Sequence, residues 1–397
     1  MKEMSLTLFL EISNLNYSFF VGKRDELNNF KIIHKSILPL NGIENNGISN
    51  FEKVYDTIKE NVYIAEQKLS HTFKEIVLIL DNFNPTFINL SGFKKLNGSQ
   101  ILRENITYIL NTLKSCVNET ESKKTLLHIF NSKFYLDNKN VDNLPIGLFG
   151  DFYSHELSFT LISSNDYKNL NNIFDMVNLK IKKILIKSFI NGANISNNYG
   201  TTETFFHVKI SENDAKIFYF ENNSLKFEQS FKFGVDIVIK DISKITSLNI
   251  DTIQTILNKI EKFDGISEED LVENFFFKDN VYKKIKKRLI YEIVLARIKE
   301  ISEIMLFKNI NFAHYNKISK NIFLEIDPKL QFKCFNEIYE TVFSMNQKYN
   351  LNFINFSSEN MLDTAHKLVH FGWKKEAIAV TQPKKSLIVR FFDTIFG

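Results

Sequence analysis

The chain has 397 residues, 44% of them hydrophobic and 14% aromatic, enough apolar material for more than one packed core. Lysine and arginine total 50 against 46 aspartate and glutamate, and this net charge of +4 excludes the broad basic footprint of a nucleic-acid binder. Cys116 and Cys334, the two cysteines, lie too far apart to build a disulfide framework or a thiolate metal centre, which points to a reducing cytoplasm.

Residues 5–12 (SLTLFLEI) and 16–22 (NYSFFVG) read as strands joined by a turn at Ser13-Asn14, and Phe30 to Leu38 alternates as a third. The first residues therefore run straight into a strand, and no apolar run reaches the ~18 residues of a membrane span. The expectation is a cytosolic chain whose contact with a membrane is peripheral. Asn50 caps a helix to about Leu69, with Phe51, Val54, Tyr55, Ile58, Val62 and Ala65 along one face. A strand at 74–80 follows, then a helix from Ser99 to Ser115 and strands at 126–137 and 155–163 around a Pro/Gly loop. A helix near 165–176 and a strand near 180–186 close the first half.

The second half opens by repeating the first, with strands at 204–210, 215–220 and 224–231 and a helix from about Asp236 to Ser247. This duplication predicts two related α/β halves facing each other across a cleft. Residues 250–307 are helix-rich and charged, as an inserted subdomain would be, and include the basic run YKKIKKR at 282–288. A strand at 321–326 and helices at 329–344 and 360–371 return to the core. His366 and His370 stand at i, i+4 on the last of these, but no third ligand accompanies them and no metal site is assigned.

After Pro383, the side chains of Leu387, Ile388, Phe391, Phe392, Ile395 and Phe396 fall on one helical stripe, with Lys384, Lys385 and Arg390 off it. Such a helix is roughly 20 Å long, too short for a hydrocarbon core of ~30 Å but suited to lying among anionic headgroups. Burying one such side chain is worth roughly 1.5–3 kcal/mol, while ordering each backbone residue costs ~1–2 kcal/mol. One tail is then a weak anchor, and several on an oligomer form a strong one.

Four stretches carry a resemblance to one family. LLHIFNSKFYLDNKNVDNLPIGLFG (126–150) matches a strand–strand–Pro-x-Gly-x-x-Gly pattern through His128, Phe134, Asp137, Pro145, Gly147 and Gly150. FGVDIVIKDISK (233–244) keeps Gly234, Asp241 and Ile242; TAHKLVHFG (364–372) and the tail complete the set. In this order, over the full length, they resemble FtsA, the actin-like protein that tethers the tubulin-like ring protein FtsZ to the bacterial membrane. The resemblance implies an α/β, actin-like (duplicated RNase-H-like) fold with an FtsA-type small subdomain and a C-terminal amphipathic helix. Residues 1–73 and 164–190 would form the first half, 74–163 the small subdomain, and 191–247 with 308–372 the second half, part of the late chain returning to the first. Residues 248–307 would be the helical insert that receives FtsZ, 373–383 a linker, and 384–397 the membrane helix.

Actin-like ATP sites use two glycine-rich hairpin turns, each led by an acid, whose bare backbone approaches the phosphates. Here Glu11 keeps the first acid, but Ser13, Asn14 and Asn16 stand where the family has Gly, Thr or Ser, and Lys. The second turn, Asp-x-Gly-Gly-Gly-Thr in the family, reads Lys209, Ile210, Ser211, Glu212, Asn213 and Asp214. The Gly-Gly turn beneath adenine reads Ile326-Asp327-Pro328. The expectation is a degenerate cleft without ATP hydrolysis: no cofactor is required, ATP and Mg²⁺ are implied by the family alone, and no catalytic residue is assigned.

The family's Glu-Pro-Arg helix aligns its arginine with Arg297, with Ala296 in place of the proline. Arg297, Arg288 and Lys240 are the expected partners of carboxylates on the FtsZ C-terminal peptide. The implied role is a division-ring scaffold, peripheral at the cytoplasmic face of the bacterial inner membrane at the division site. Its partners would be FtsZ, copies of itself bound side by side through the small subdomain, anionic lipid and later division proteins. Two alternatives remain: a PilM-like actin-fold adaptor of a pilus or secretion platform, and an active actin-like ATPase.

Overall fold

A computed structural model describes residues 6–377 except 27–28, 82, 201, 261–264, 266, 268, 278–280, 313, 316–318, 328–331 and 346–348. The expected membrane helix, 384–397, lies outside the described residues. The chain opens with strands β1 (Thr7–Ile12), β2 (Asn16–Arg24), β3 (Phe30–Pro39), β4 (Ile43–Glu44) and β5 (Gly47–Ile48), then helix α1 (Phe51–Leu69) and β6 (Glu75–Leu80). Next come β7 (Thr86–Lys95), α2 (Arg103–Thr120), β8 (Lys124–Leu136), β9 (Lys139–Val141), β10 (Phe152–Ser163), α3 (Ser164–Met176), β11 (Lys180–Ile186) and α4 (Lys187–Asn198). The remainder is β12 (Phe205–Ile210), β13 (Ala215–Glu221), β14 (Ser224–Phe231), α5 (Asp236–Thr246), α6 (Ile250–Lys259), α7 (Lys287–Ser302), β15 (Asn321–Ile326), α8 (Lys333–Ser344), β16 (Asn350–Ile354) and α9 (Ser358–His370).

The chain divides into two compact units, one holding residues up to Gly200 with Glu221–Lys226 and the chain from Ser357, the other holding Thr201–Phe220 and Phe227–Phe356. In the first unit the sheet order is β11-β6-β1-β2-β3, with β6 and β11 parallel to β1. In the second it is β14-β13-β12-β15-β16, with β15 and β16 parallel to β12. Each is a meander extended from its first strand by two parallel strands, so the duplication expected from the sequence is present. The fold is α/β and actin-like. α1 begins where Asn50 accepts from the Lys53 amide at 3.0 Å and ends at Ser70, left-handed at φ 48°. It buries Val54, Ile58, Val62 and Ala65 against the first sheet's core, the face expected.

The small subdomain starts later than expected. β6, assigned to the subdomain by the boundary at 74, pairs with β1 and β11 in the first sheet. Its five consecutive buried apolar residues, Ile76 to Leu80, suit a central parallel strand covered on both faces. The subdomain sheet proper has the order β7-β10-β8-β9. β7 was not expected, because Asn89, Ser91 and Gly92 interrupt the apolar pattern of TFINLSGFKK. Gly92 is there for contact: a Cβ would lie 2.5 Å from Ile109 of α2. α2 itself starts at Arg103, since Gly98 and Ile101 spend their amides on Gly150 and Leu148 at 3.1 and 2.8 Å.

Residues 248–307 do not form a body of their own. Ile253 and Ile256 of α6 and Ile290, Val294 and Ile298 of α7 share one hydrophobic cluster with Val208, Leu324 and the α8 residues Phe335 and Ile338. These helices cover the second unit's own sheet.

His155 on β10 is buried against Phe134 and Tyr153, and burial pushes its pKa down to about 3. The folded protein holds it neutral, whereas the unfolded chain protonates near 6.5. Its contribution is complete above about pH 6.5 and is lost as the pH falls toward 3. In denaturant melts from pH 6 to 4, we expect His155→Leu to lose stability less steeply than the parent, by about 1 kcal/mol per pH unit. Parallel slopes would refute the buried neutral state.

Candidate functional site

In the first unit, Glu11 and the Ser13–Asn14 turn sit at the carboxyl end of β1. Ser13 N donates to Asn16 O at 3.0 Å, and the Ser13 hydroxyl oxygen accepts from the Leu15 and Asn16 amides at 3.4 and 3.1 Å. Two amides of this turn are thus directed at its own serine, while Asn14 is exposed. Glu11 is buried, and Lys187 Nζ reaches its Oε1 at 2.5 Å and the Oδ2 of Asp81 at 3.3 Å. Sequence reading missed Lys187 and Asp81. The available signal was position: each immediately follows an apolar parallel strand, β11 and β6, at the carboxyl end where such sheets carry their sites.

In the second unit, the β12–β13 turn is closed by Ser211 N donating to Asp214 O at 2.8 Å. Its carbonyls are capped in turn by the start of α5: Val235 N donates to Ser211 O and Asp236 N to Glu212 O, both at 3.0 Å. This seat requires Gly234, where a Cβ would lie 2.3 Å from both carbonyl oxygens. Asp327 N donates to Ile210 O at 3.0 Å, bringing Ile326 and Asp327 beside the turn. Lys209 is half-buried on β12 in register with Glu325, while Glu212 and Asn213 are exposed. The structure therefore gathers Lys209, Ser211, Glu212, Asn213, Ile326 and Asp327 at one end of the β12–β15 pair; Pro328 lies outside the described residues.

On the helical layer, Arg297 Nε donates to Asp241 Oδ2 of α5 at 2.5 Å, and its Nη1 pairs with Glu300. Asp241 is one of the residues that carry the family resemblance, and its place is the α5–α7 junction. Lys240 pairs with Asp236 at 2.5 Å and is exposed. Arg288 bonds Glu292 at 3.0 Å and lies over Tyr291, about 13 Å along α7 from Arg297. The basic run around it is largely compensated: Lys286 pairs with Glu269, Lys287 with Glu273, and Lys283 donates to Ser247 O. Arg297 thus pairs with α5 through Asp241, Lys240 pairs within α5 with Asp236, and Arg288 pairs within α7 with Glu292.

The chain leaving α9 is fastened to the subdomain. Asn131 N donates to Lys375 O at 2.6 Å and Ala377 N to Ile129 O at 2.7 Å, flanking an antiparallel bridge between Phe130 and Glu376. Trp373 Nε1 donates to Asn223 O at 3.0 Å. Glu376 takes His128 Nδ1 at 3.0 Å on one oxygen and Lys183 Nζ at 2.7 Å on the other. Burial alone would raise its carboxyl, but His128 and Lys183 hold it below its usual value. Burial outweighs Glu376 at His128 and keeps that imidazole below its ordinary range. The other family-matched residues here also do structural work: Asp137 Oδ1 accepts from the Asp151 and Phe152 amides at 2.8 Å, and Gly147 is left-handed at φ 92°.

The His366 and His370 rings lie tilted with centroids 4.2 Å apart, and burial takes the His366 pKa down to about 4. Among the described residues no group of three or more His, Cys, Asp or Glu side chains could hold a metal ion.

No protein-family model matches the chain. In sequence it is 21% identical over 305 residues to the cell division protein FtsA of Buchnera aphidicola subsp. Schizaphis graminum, spanning 76% of this chain and 72% of that protein. The cell division protein FtsA of Buchnera aphidicola subsp. Acyrthosiphon pisum is 20% identical over 305 residues, with the same two coverages of 76% and 72%. Among solved structures, the PilM-PilN type IV pilus biogenesis complex is similar at a TM-score of 0.53 and 10% identity, covering 92% of this chain and 98% of that one. That likeness bears on the fold alone.

Proposed function

We propose that this divergent FtsA-like chain, actin-like in fold, is a cell-division scaffold that holds FtsZ filaments at the cytoplasmic face of the bacterial inner membrane. The observation that carries the reading is the likeness to two cell division proteins across 305 residues. No helix among the described residues is long and apolar enough to cross a membrane. In this reading attachment falls to 384–397, delivered from the segment fastened on β8. Self-association falls to the subdomain loop, where Ile146, Leu148 and Phe149 are exposed beside the stacked pair Phe93–Phe152. The peptide of FtsZ docks on the α5–α7 face, where a carboxylate would compete with Asp241 and Glu300 for Arg297.

The scaffold works without ATP turnover in this reading. The Ser13 hydroxyl takes the Leu15 and Asn16 amides of the first turn, and the Val235 and Asp236 amides at the start of α5 go to the carbonyls of the second. Glu212 and Asn213 add side chains where a triphosphate needs bare backbone. These residues do not fit a magnesium-bound triphosphate.

The PilM-PilN likeness keeps an adaptor of a pilus platform as the second reading. Titration of the full chain with the FtsZ C-terminal peptide and with a PilN-type N-terminal peptide separates the two. Saturable binding of the FtsZ peptide at micromolar concentration is expected. Binding of the PilN-type peptide alone would overturn the division reading.

A further inference from the structure

The parallel register places Glu11 beside Ile79 and Leu80 beside Ile186, so β1, β6 and β11 end at one level. Three charged side chains are delivered there: Glu11 from within β1, Asp81 directly after β6, and Lys187 as the first residue of α4. The Asp81 amide donates to Ile12 O at 3.0 Å, which holds its backbone next to the end of β1. The side chains of Lys187, Glu11 and Asp81 are 20%, 9% and 16% exposed, so the cluster is largely withdrawn from water. Two carboxylates so placed need a counter-charge. The ammonium of Lys187 supplies it, at 2.5 Å from one and 3.3 Å from the other.

We propose that Lys187 is a resident cation occupying the position a divalent metal ion would take between Glu11 and Asp81, and that its charge keeps such ions out. A metal bridging these carboxylates would fall where the ammonium sits, and the repulsion between the two cations allows only one of them. The proposal deepens the non-hydrolysing part of the reading above and rests on it. The tethering part stands independently, since it is read by peptide and vesicle binding.

The test is titration of the full chain with Mn²⁺ alone, followed by the spin-resonance signal of free manganese and by thermal melting. The parent is expected to show no saturable Mn²⁺ binding at this position and a melting temperature independent of Mn²⁺. Lys187→Met is expected to bind Mn²⁺ at least about tenfold more tightly than the parent and to melt higher as Mn²⁺ is added. The double variant Lys187→Met/Glu11→Gln should lose that gain, and Lys187→Arg should exclude the ion as the parent does. Parent binding that disappears in Glu11→Gln would overturn the proposal. So would a folded Lys187→Met that gains no Mn²⁺. Should Lys187→Met not fold, the parent and Lys187→Arg titrations decide: saturable binding in either one that is lost on Glu11→Gln refutes it, and exclusion by both upholds it.

Discussion

A chain ending at Gln382 is expected to stay in the supernatant when vesicles rich in anionic lipid are pelleted, while the full chain co-sediments. The stripe of Leu387, Ile388, Phe391, Phe392, Ile395 and Phe396 supplies at most ~9–18 kcal/mol of burial. Ordering the segment in the headgroup layer costs ~1–2 kcal/mol per residue, which over residues 384–397 is comparable to the whole of that gain. Attachment should therefore be weak at low protein concentration and rise steeply once copies assemble. Phe391→Glu places a carboxylate in the centre of the stripe and is expected to reduce the pelleted fraction as far as the truncation does. Salt should weaken the full chain's binding by screening Lys384, Lys385 and Arg390. With FtsZ present, the polymer should pellet with vesicles only when the full chain is added. Equal sedimentation of the truncated and full chains would remove the tail from the mechanism.

The second large effect concerns stability. Lys226, 2% exposed, lies between Glu156 of β10 and Glu221 of β13, the latter at 3.6 Å, and Glu221 also pairs with Lys133 of β8 at 2.8 Å. Burial pulls the Lys226 pKa below its ordinary value even with both carboxylates adjacent. Around it, Asn89 donates to Lys226 O at 3.0 Å, and Ser224 to Asn131 O at 2.9 Å. Lys226→Ala leaves Glu156 and Glu221 short of a cation in a largely buried site. The expected cost is about 3–5 kcal/mol, or roughly 10 °C in melting temperature. Lys226→Met combined with Glu156→Gln and Glu221→Gln should recover most of the loss, because the desolvation penalty leaves with the charges. A loss in Lys226→Ala below about 1 kcal/mol would show that water reaches the pair.

Elements with an uninterrupted pattern were legible from the sequence. The face of α1, the strand at 180–186 and the strand at 224–231 follow from apolar spacing and a cap, which are local properties. β7 and β16 were not, because an edge strand alternates polar residues and glycine without a continuous apolar run. The assignment of β6 turned on a pairing decision that spacing does not carry. The candidate site divides in the same way. The turn residues Ser13, Glu212 and Asn213 could be read off directly as side chains at two strand-to-strand turns. Lys187 and Asp81 share no spacing with Glu11; only the parallel order of β11, β6 and β1 brings the three together. The pairing of Arg297 with Asp241 was hidden likewise, since α5 and α7 meet only on the folded sheet.

If residues 384–397 hold the chain to lipid, the fastening of Lys375 and Ala377 to β8 limits how far the subdomain can stray from it. From Ala377 to Lys384 the fully extended backbone reaches no more than about 25 Å. That is a short leash. If residues 384–397 lie in the headgroups, the edge of the subdomain near Ile129 must ride within that distance of the bilayer. Neighbouring copies would then share a common height above the surface and present the same side to it, an alignment that a long flexible tether would not impose.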